Sequence, residues 1–281
     1  DEEASSKLRR MISPFILRRL KTDRDIAPDL PDKIETTVYC GLKKEQATLY
    51  ASVVRELEAH LQDADGIKRK GIVLAALTKL KQICDHPALF VKDSSFAAER
   101  SSKLERLLSL CEEMLQVGDK MLIFTQYVEM GHLLQRCLQE TFGVEALFLH
   151  GAVPKEKRDQ MVARFQGGGP GGPPIFILSL KAGGTGLNLT GANHVVLYDR
   201  WWNPAVEQQA MDRAYRIGQK KNVQVHVFCC RGTLEEKVDA LVQSKKAIAG
   251  SIIGSGERWL TEMDNKEIGE LIALHKDAVD V

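Results

Sequence analysis

Three glycines fall within four residues in Lys181-Ala182-Gly183-Gly184-Thr185-Gly186, shortly after the apolar run Ile175-Phe176-Ile177-Leu178. Glycine tolerates positive φ and has no Cβ, so such a turn lets backbone N–H groups point at phosphate oxygens. Downstream, Gln209, Arg213 and Arg216 are spaced i, i+4, i+7, which on a helix puts them on one face. Two arginines held on one edge form a clamp for phosphate, because the guanidinium fork matches its oxygens two at a time. The chemistry on offer is phosphate binding and stabilisation of phosphate charge.

Those residues need a frame. Ile175–Leu178 is β-branched and aromatic without alternation, the pattern of a strand buried on both faces. Val195-Val196-Leu197-Tyr198 reads as the next strand and ends at Asp199-Arg200-Trp201-Trp202-Asn203-Pro204. Asn203 is a good N-cap, Pro204 a good first helical residue and Gly218 a stop, so the spacing predicts one helix carrying both arginines. Its apolar stripe would be Val206, Ala210, Ala214 and Ile217. Upstream, Ser102 caps a helix that stops at Gly118, Met121–Phe124 is a buried strand and Tyr127–Phe142 a helix. Ala146–Leu149 is a strand, Pro154–Phe165 a helix, and a Gly/Pro loop follows. Regular strand–helix alternation predicts an α/β fold, a parallel sheet with helices on both faces. Ligands in such sheets sit beyond the carboxyl ends of the strands. Thr125-Gln126, His150-Gly151, Ser179 to Gly186 and Asp199 to Trp202 all fall at that edge.

The 281 residues, 44% hydrophobic with a net charge of +1, allow a sizeable core. Near-neutral charge neither demands nor excludes nucleic acid, which needs a local basic patch. No apolar run reaches about 18 residues, so no membrane span is expected, and the acidic start lacks a signal-peptide pattern. Six cysteines without C-x-x-C spacing read as reduced, buried thiols. Cys84 and His86 are close together but lack a second pair, so no metal is expected.

Elsewhere, Ile34–Cys40 alternates like a short strand, and Leu42–Leu61 and about Gly71–Cys84 read as helices. Lys68-Arg69-Lys70 either touches DNA or is a solvated loop. Val223–Phe228 alternates as an edge strand would, Thr233 caps a helix to about Ala249, and Trp259–Leu274 forms a closing helix.

Ser179-Leu180-Lys181-Ala182-Gly183-Gly184-Thr185-Gly186-Leu187-Asn188-Leu189 resembles motif V of the Swi/Snf family of helicase-related DNA translocases. Tyr198 to Pro204 resembles the segment that follows it, and Gln208 to Gln219 is similar to motif VI, whose arginines act as fingers on ATP. Pro14 to Lys21 with Leu30 to Lys33 resembles the stretch joining the two ATPase lobes, and Lys79 to Pro87 the signature of a helical protrusion in the second lobe.

The resemblance implies the second RecA-like lobe of a double-stranded-DNA translocase. It divides the chain into an inter-lobe linker (1–40), a helical protrusion (41–100), the RecA-like lobe (101–232), and a brace helix with a bacterial-looking tail (233–281). Arg213 and Arg216 would contact the β- and γ-phosphates of ATP, oriented by Gln209, with Gly186 and Asn188 near the nucleotide. Thr125, Gln126, Gly151, Ser179, Ala182, Gly183 and Gly184 would grip DNA phosphates. Trp202 either packs as a strand-end aromatic or lies beside DNA. The sequence contains no G-x-x-x-x-G-K-[ST], so ATP and Mg²⁺ would be held mainly by a first lobe on the same polypeptide. The resemblance also implies an intracellular protein, of the bacterial cytoplasm or nucleoid, or of the nucleus in a eukaryote. Two other readings are a non-catalytic DNA-binding or scaffold module that kept the fold, and the second lobe of an RNA helicase.

Overall fold

The computed structural model describes residues 30–62, 64–93, 95–167, 172–179, 186–200, 202–248 and 260–280. Strands β1 (Lys33–Cys40), β2 (Met121–Thr125), β3 (Ala146–Leu149), β4 (Ile175–Ser179), β5 (His194–Leu197) and β6 (Val223–Cys230) form one sheet. Their order is β1-β6-β5-β2-β4-β3, and every neighbouring pair is parallel. The helices are α1 (Lys44–Leu61), α2 (Gly66–Asp85), α3 (Pro87–Val91), α4 (Ser102–Gln116), α5 (Val128–Phe142), α6 (Lys155–Gln166), α7 (Pro204–Met211), α8 (Leu234–Ile248) and α9 (Asn265–Ile272).

Successive side chains of a strand point to opposite faces, so the unbroken apolar runs of β2 and β4 need cover on both sides. They have it. Met121, Ile123, Ile175 and Ile177 share a core with α4 and α5. Leu122, Phe124, Phe176 and Leu178 share another with α6 and α7. A third core joins α1, α2, α8 and α9 through Leu57, Leu77, Leu80, Val238, Ile268 and Leu271.

Several expectations are corrected. β6 is interior, because β1 pairs along its whole length from Lys33↔Val223 to Cys40↔Cys230. Its early alternation reflects a face left partly uncovered at Gln224 and His226, not a free edge. The free edges are β1 and β3. Helix α2 begins at Gly66, before the expected start. Ser101, not Ser102, caps α4, its hydroxyl accepting from the Leu104 N–H. The closing helix is only α9, begun by an Asp264–Glu267 capping box. The linker string at 14–21 and Trp259 lie outside the described residues.

Candidate functional site

Thr125 and Ser179 are register partners at the carboxyl ends of β2 and β4, and β5 runs beside β2 to deliver Asp199. Asp199 is buried, and accepts from the Thr125 hydroxyl at 2.5 Å and the Gln126 N–H at 2.8 Å. Burial pushes its carboxyl up, and those hydrogen bonds, with the nearby Lys81 and Lys103 charges, pull it back. The Gln126 amide is also engaged at both ends: its Nε2 donates to the Arg200 carbonyl at 2.5 Å and its Oε1 accepts from Lys81 at 3.0 Å. At the end of β3, Gly151 is exposed, and a Cβ there would meet nothing within 4 Å. The fold does not need that glycine. Ala182, Gly183 and Gly184 lie outside the described residues.

Asn203 caps α7 as expected, accepting from the Ala205 N–H at 3.0 Å. The helix then ends at Met211, so Arg213 and Arg216 stand on the turns after it, not on its face. Tertiary bonds capture this segment. The Arg213 carbonyl accepts from the Leu189 N–H at 2.9 Å, and Gln219 Nε2 donates to the carbonyls of Ala192 and Ala214 at 2.7 and 3.1 Å. Ala210 and Ala214 are buried as the stripe required, whereas Ile217 is 79% exposed because the helix that would have turned it inward has stopped.

Arg213 is 8% exposed and its Nε has no hydrogen-bond partner. Desolvation and then Arg216 hold its guanidinium below the usual arginine range, against the opposing pull of Asp212. A partly desolvated guanidinium that makes no ion pair among the described residues gains more from an arriving anion than a fully solvated one does. Arg216 is exposed and donates to the carbonyls of Gly186 and Leu187 at 3.3 and 3.4 Å. Gly186 has φ +56°, a conformation only glycine takes at little cost, and this aims its carbonyl at Arg216. Asn188 and Gln209 are exposed, and Gln209 hydrogen-bonds neither arginine among the described residues. Two guanidinium groups, one desolvated, thus meet the segment that leaves the glycine turn. Such an arrangement offers the charge and the N–H donors that a phosphate group needs.

Trp202 is packed: it is 3% exposed in the core of α1, α2 and α8, with the Lys81 ammonium 4.2 Å from its ring centroid. Arg69 and Lys70 hold the C-terminal segment, Arg69 donating to the Thr261 and Met263 carbonyls and Lys70 pairing with Glu262. His86 caps α3, its Nδ1 accepting from the Ala88 N–H and its Nε2 lying 3.1 Å from the Ala97 carbonyl, so neither nitrogen is left for a metal. Cys84, Cys230 and Glu235 bring ligand atoms within 4.8 Å of one another, but Glu235 already accepts from Lys103 at 2.8 Å and from the Cys230 N–H. Lys103 also donates to Asp85 at 2.9 Å. The cluster's one carboxylate is thus already paired with a buried ammonium.

Sequence reasoning missed that triad, the role of Lys81, and Arg200, which grips Glu207 with two hydrogen bonds and Asp239 at 2.8 Å. The available signal was weak. Lys81 and Lys103 interrupt helical faces that are otherwise apolar, at positions where a charge must find a partner.

A family model for the helicase conserved C-terminal domain matches residues 102–218, and one for the SNF2-related domain matches 1–89. A putative ATP-dependent helicase/translocase of Bacillus subtilis, YwqA, is 48% identical over 99% of this chain and 30% of its own length. A human SWI/SNF-related regulator of chromatin, subfamily A member 1, is 33% identical over 95% of this chain and 26% of its own. The chain therefore spans under a third of these relatives. The solved SWI2/SNF2 ATPase C-terminal domain of Sulfolobus solfataricus is 43% identical, with a TM-score of 0.76 over 87% of this chain and 100% of that one. The ATPase core of the same organism in complex with double-stranded DNA is 45% identical, with a TM-score of 0.79 over 98% of this chain and 57% of that one.

Proposed function

Since the chain belongs to the Swi2/Snf2 family, we propose that it is the second ATPase lobe of an ATP-dependent double-stranded-DNA translocase. In this reading residues 1–40 join it to a first lobe on the same polypeptide, 41–100 form the protrusion, 101–232 the RecA-like lobe, and 233–281 the brace and tail. The observation that carries it is the desolvated Arg213, with no partner at Nε, beside Arg216.

ATP binds between the lobes. Arg213 and Arg216 neutralise the charge that develops on the transferred phosphoryl group, the largest kind of contribution a protein makes to such a step. Gly186 and Asn188 line the nucleotide side, and Gln209 moves onto the arginines when the lobes close. Asp199, the carboxylate at this edge, already accepts from Thr125 and Gln126, so these residues do not fit Mg²⁺, which the first lobe would hold. DNA phosphates lie along Gly151, Ser179 and the turn at Ala182, Gly183 and Gly184. Gln126 borders that groove, while Thr125, fully buried, supports its floor through Asp199. Such contacts read no sequence, as a motor that travels over any DNA requires. Trp202 holds the segment from behind. Work on DNA would place the protein inside the cell, in the bacterial cytoplasm or nucleoid.

Phosphate release measured on the longer protein with and without duplex DNA tests the reading. ATP turnover rising with DNA, and none from the 281 residues alone, supports it; turnover by these residues alone would overturn it.

A further inference from the structure

Lys81 is 2% exposed, an unusual place for an ammonium, since burying a charge costs several kcal/mol before its partners repay it. Its partners lie on one line. Nζ donates to Gln126 Oε1 at 3.0 Å and stands 4.2 Å from the Trp202 ring centroid. Gln126 Nε2 donates to the Arg200 carbonyl at 2.5 Å, and the Gln126 N–H to Asp199. The Arg200 side chain then donates twice to Glu207 on α7, at 2.9 and 3.0 Å, and pairs with Asp239 on α8. Two residues past the end of α7 comes Arg213. A chain of direct contacts therefore runs from α2 through the β2–α5 turn to the helix that leads into the arginines.

Resting on the translocase reading, we propose that Lys81 is a positioning residue which links the DNA-facing β2–α5 turn to α7 and so to Arg213. When DNA settles on the turn, Gln126 moves with it. Lys81 fixes the Gln126 carboxamide so that the movement reaches Arg200 rather than being lost in side-chain rotation. A hydrophobic residue of similar length would fill the same space and keep the fold, but would leave the carboxamide held at Nε2 alone, with its Oε1 no longer fixed.

The test uses the longer protein and compares ATP turnover without DNA, with saturating duplex DNA, and across a DNA titration. In Lys81→Met the ratio of DNA-stimulated to basal turnover should fall about tenfold, within the usual 5–150-fold range for coupled sites. Basal turnover and the half-stimulating DNA concentration should stay within about twofold, smaller than one such coupling step. Lys81→Arg, which still donates to Gln126, should keep most of the stimulation. Arg200→Lys keeps a positive charge between Glu207 and Asp239 but loses the two-pronged grip on Glu207 one link further on, and should lose it too, so the idea can be tested even if Lys81→Met does not fold. An unchanged ratio in either cutting variant overturns the proposal. So does a half-stimulating DNA concentration that rises in step with the loss, which would make Lys81 a DNA contact. If DNA does not stimulate the unsubstituted protein, the translocase reading falls instead. The contact chain is then judged by amide hydrogen exchange, with faster exchange at Gln126 and Tyr127 expected in Lys81→Met and unchanged exchange overturning it.

Discussion

The Arg216 guanidinium donates to the Gly186 carbonyl at 3.3 Å, so an arginine beyond α7 is held by the segment that leads into β5. The Arg213 carbonyl accepts from the Leu189 N–H a few residues on. The segment from Gly186 to Leu189 and the one that follows α7 are thus fastened together through backbone and guanidinium contacts. In the proposed motor, one of these segments touches DNA phosphate and the other ATP phosphate.

Two glycines separate fold from function. A Cβ on Gly131 would come 2.2 Å from the Phe148 ring, which projects from β3 and is buried against α5. Gly131→Ala should cost about 1–3 kcal/mol by overpacking, seen as a lower urea midpoint. Gly151→Val meets open space and should leave that midpoint nearly unchanged while weakening DNA binding about tenfold, the worth of one close phosphate contact. A matched loss of stability in Gly151→Val would return it to the fold.

His226 supplies a pH dependence. Burial, then the stacked His194 ring 5.8 Å away and Arg106, push its imidazole down to about 4. The unfolded chain holds this proton from about pH 6.5 downward while the folded chain refuses it until near pH 4. Stability from this group is therefore complete above about pH 6.5 and lost on acidification toward pH 4. The ring is partly exposed, so screening leaves about 1–2 kcal/mol. His226→Gln should flatten the stability curve across that window by this amount in denaturant titrations; an unchanged curve would mean the ring titrates normally when folded.

The Asp85–Lys103–Glu235 triad is fully buried. Burial opposes the Lys103 charge, but Asp85 and Glu235 outweigh it and hold the ammonium well above the usual lysine range. Burial, in turn, pushes the Asp85 carboxyl up. Lys103→Ala leaves two carboxylates without a counter-ion and should cost about 3–5 kcal/mol in equilibrium unfolding. A cost below about 1 kcal/mol would mean that water reaches the triad, as it does for surface pairs. Because the triad ties α2 and α4 to α8, the loss should appear in one cooperative transition.

Much of this was legible in the sequence. The strand–helix alternation of residues 102–198 gave the parallel sheet, since its apolar runs leave no other way to bury both faces. The expected strand ends were placed at the carboxyl edge of the sheet, where Thr125 and Ser179 are register partners. What escaped was set by distant partners. β6 alternates like an edge strand, and only its pairing with β1, nearly two hundred residues earlier in sequence, makes it interior. The end of α7 at Met211 depends on bonds from Leu189 and Gln219 that no local pattern announces. Trp202 was readable as packed or as DNA-facing, and burial against Lys81 decided for packing. Buried lysines look in sequence like surface lysines; their carboxylate and amide partners lie on other helices and loops.

The central claim is that Arg213 and Arg216 act on ATP and not on DNA. It is tested most directly by steady-state phosphate release from the longer protein carrying Arg213→Ala, with duplex-DNA affinity titrated on the same preparation. Loss of an arginine finger should lower DNA-stimulated turnover by about 10³-fold while DNA affinity stays within about threefold, less than the loss of one phosphate contact. Turnover reduced less than about tenfold, or DNA affinity falling in parallel with it, would contradict the claim and make Arg213 part of a DNA-binding surface.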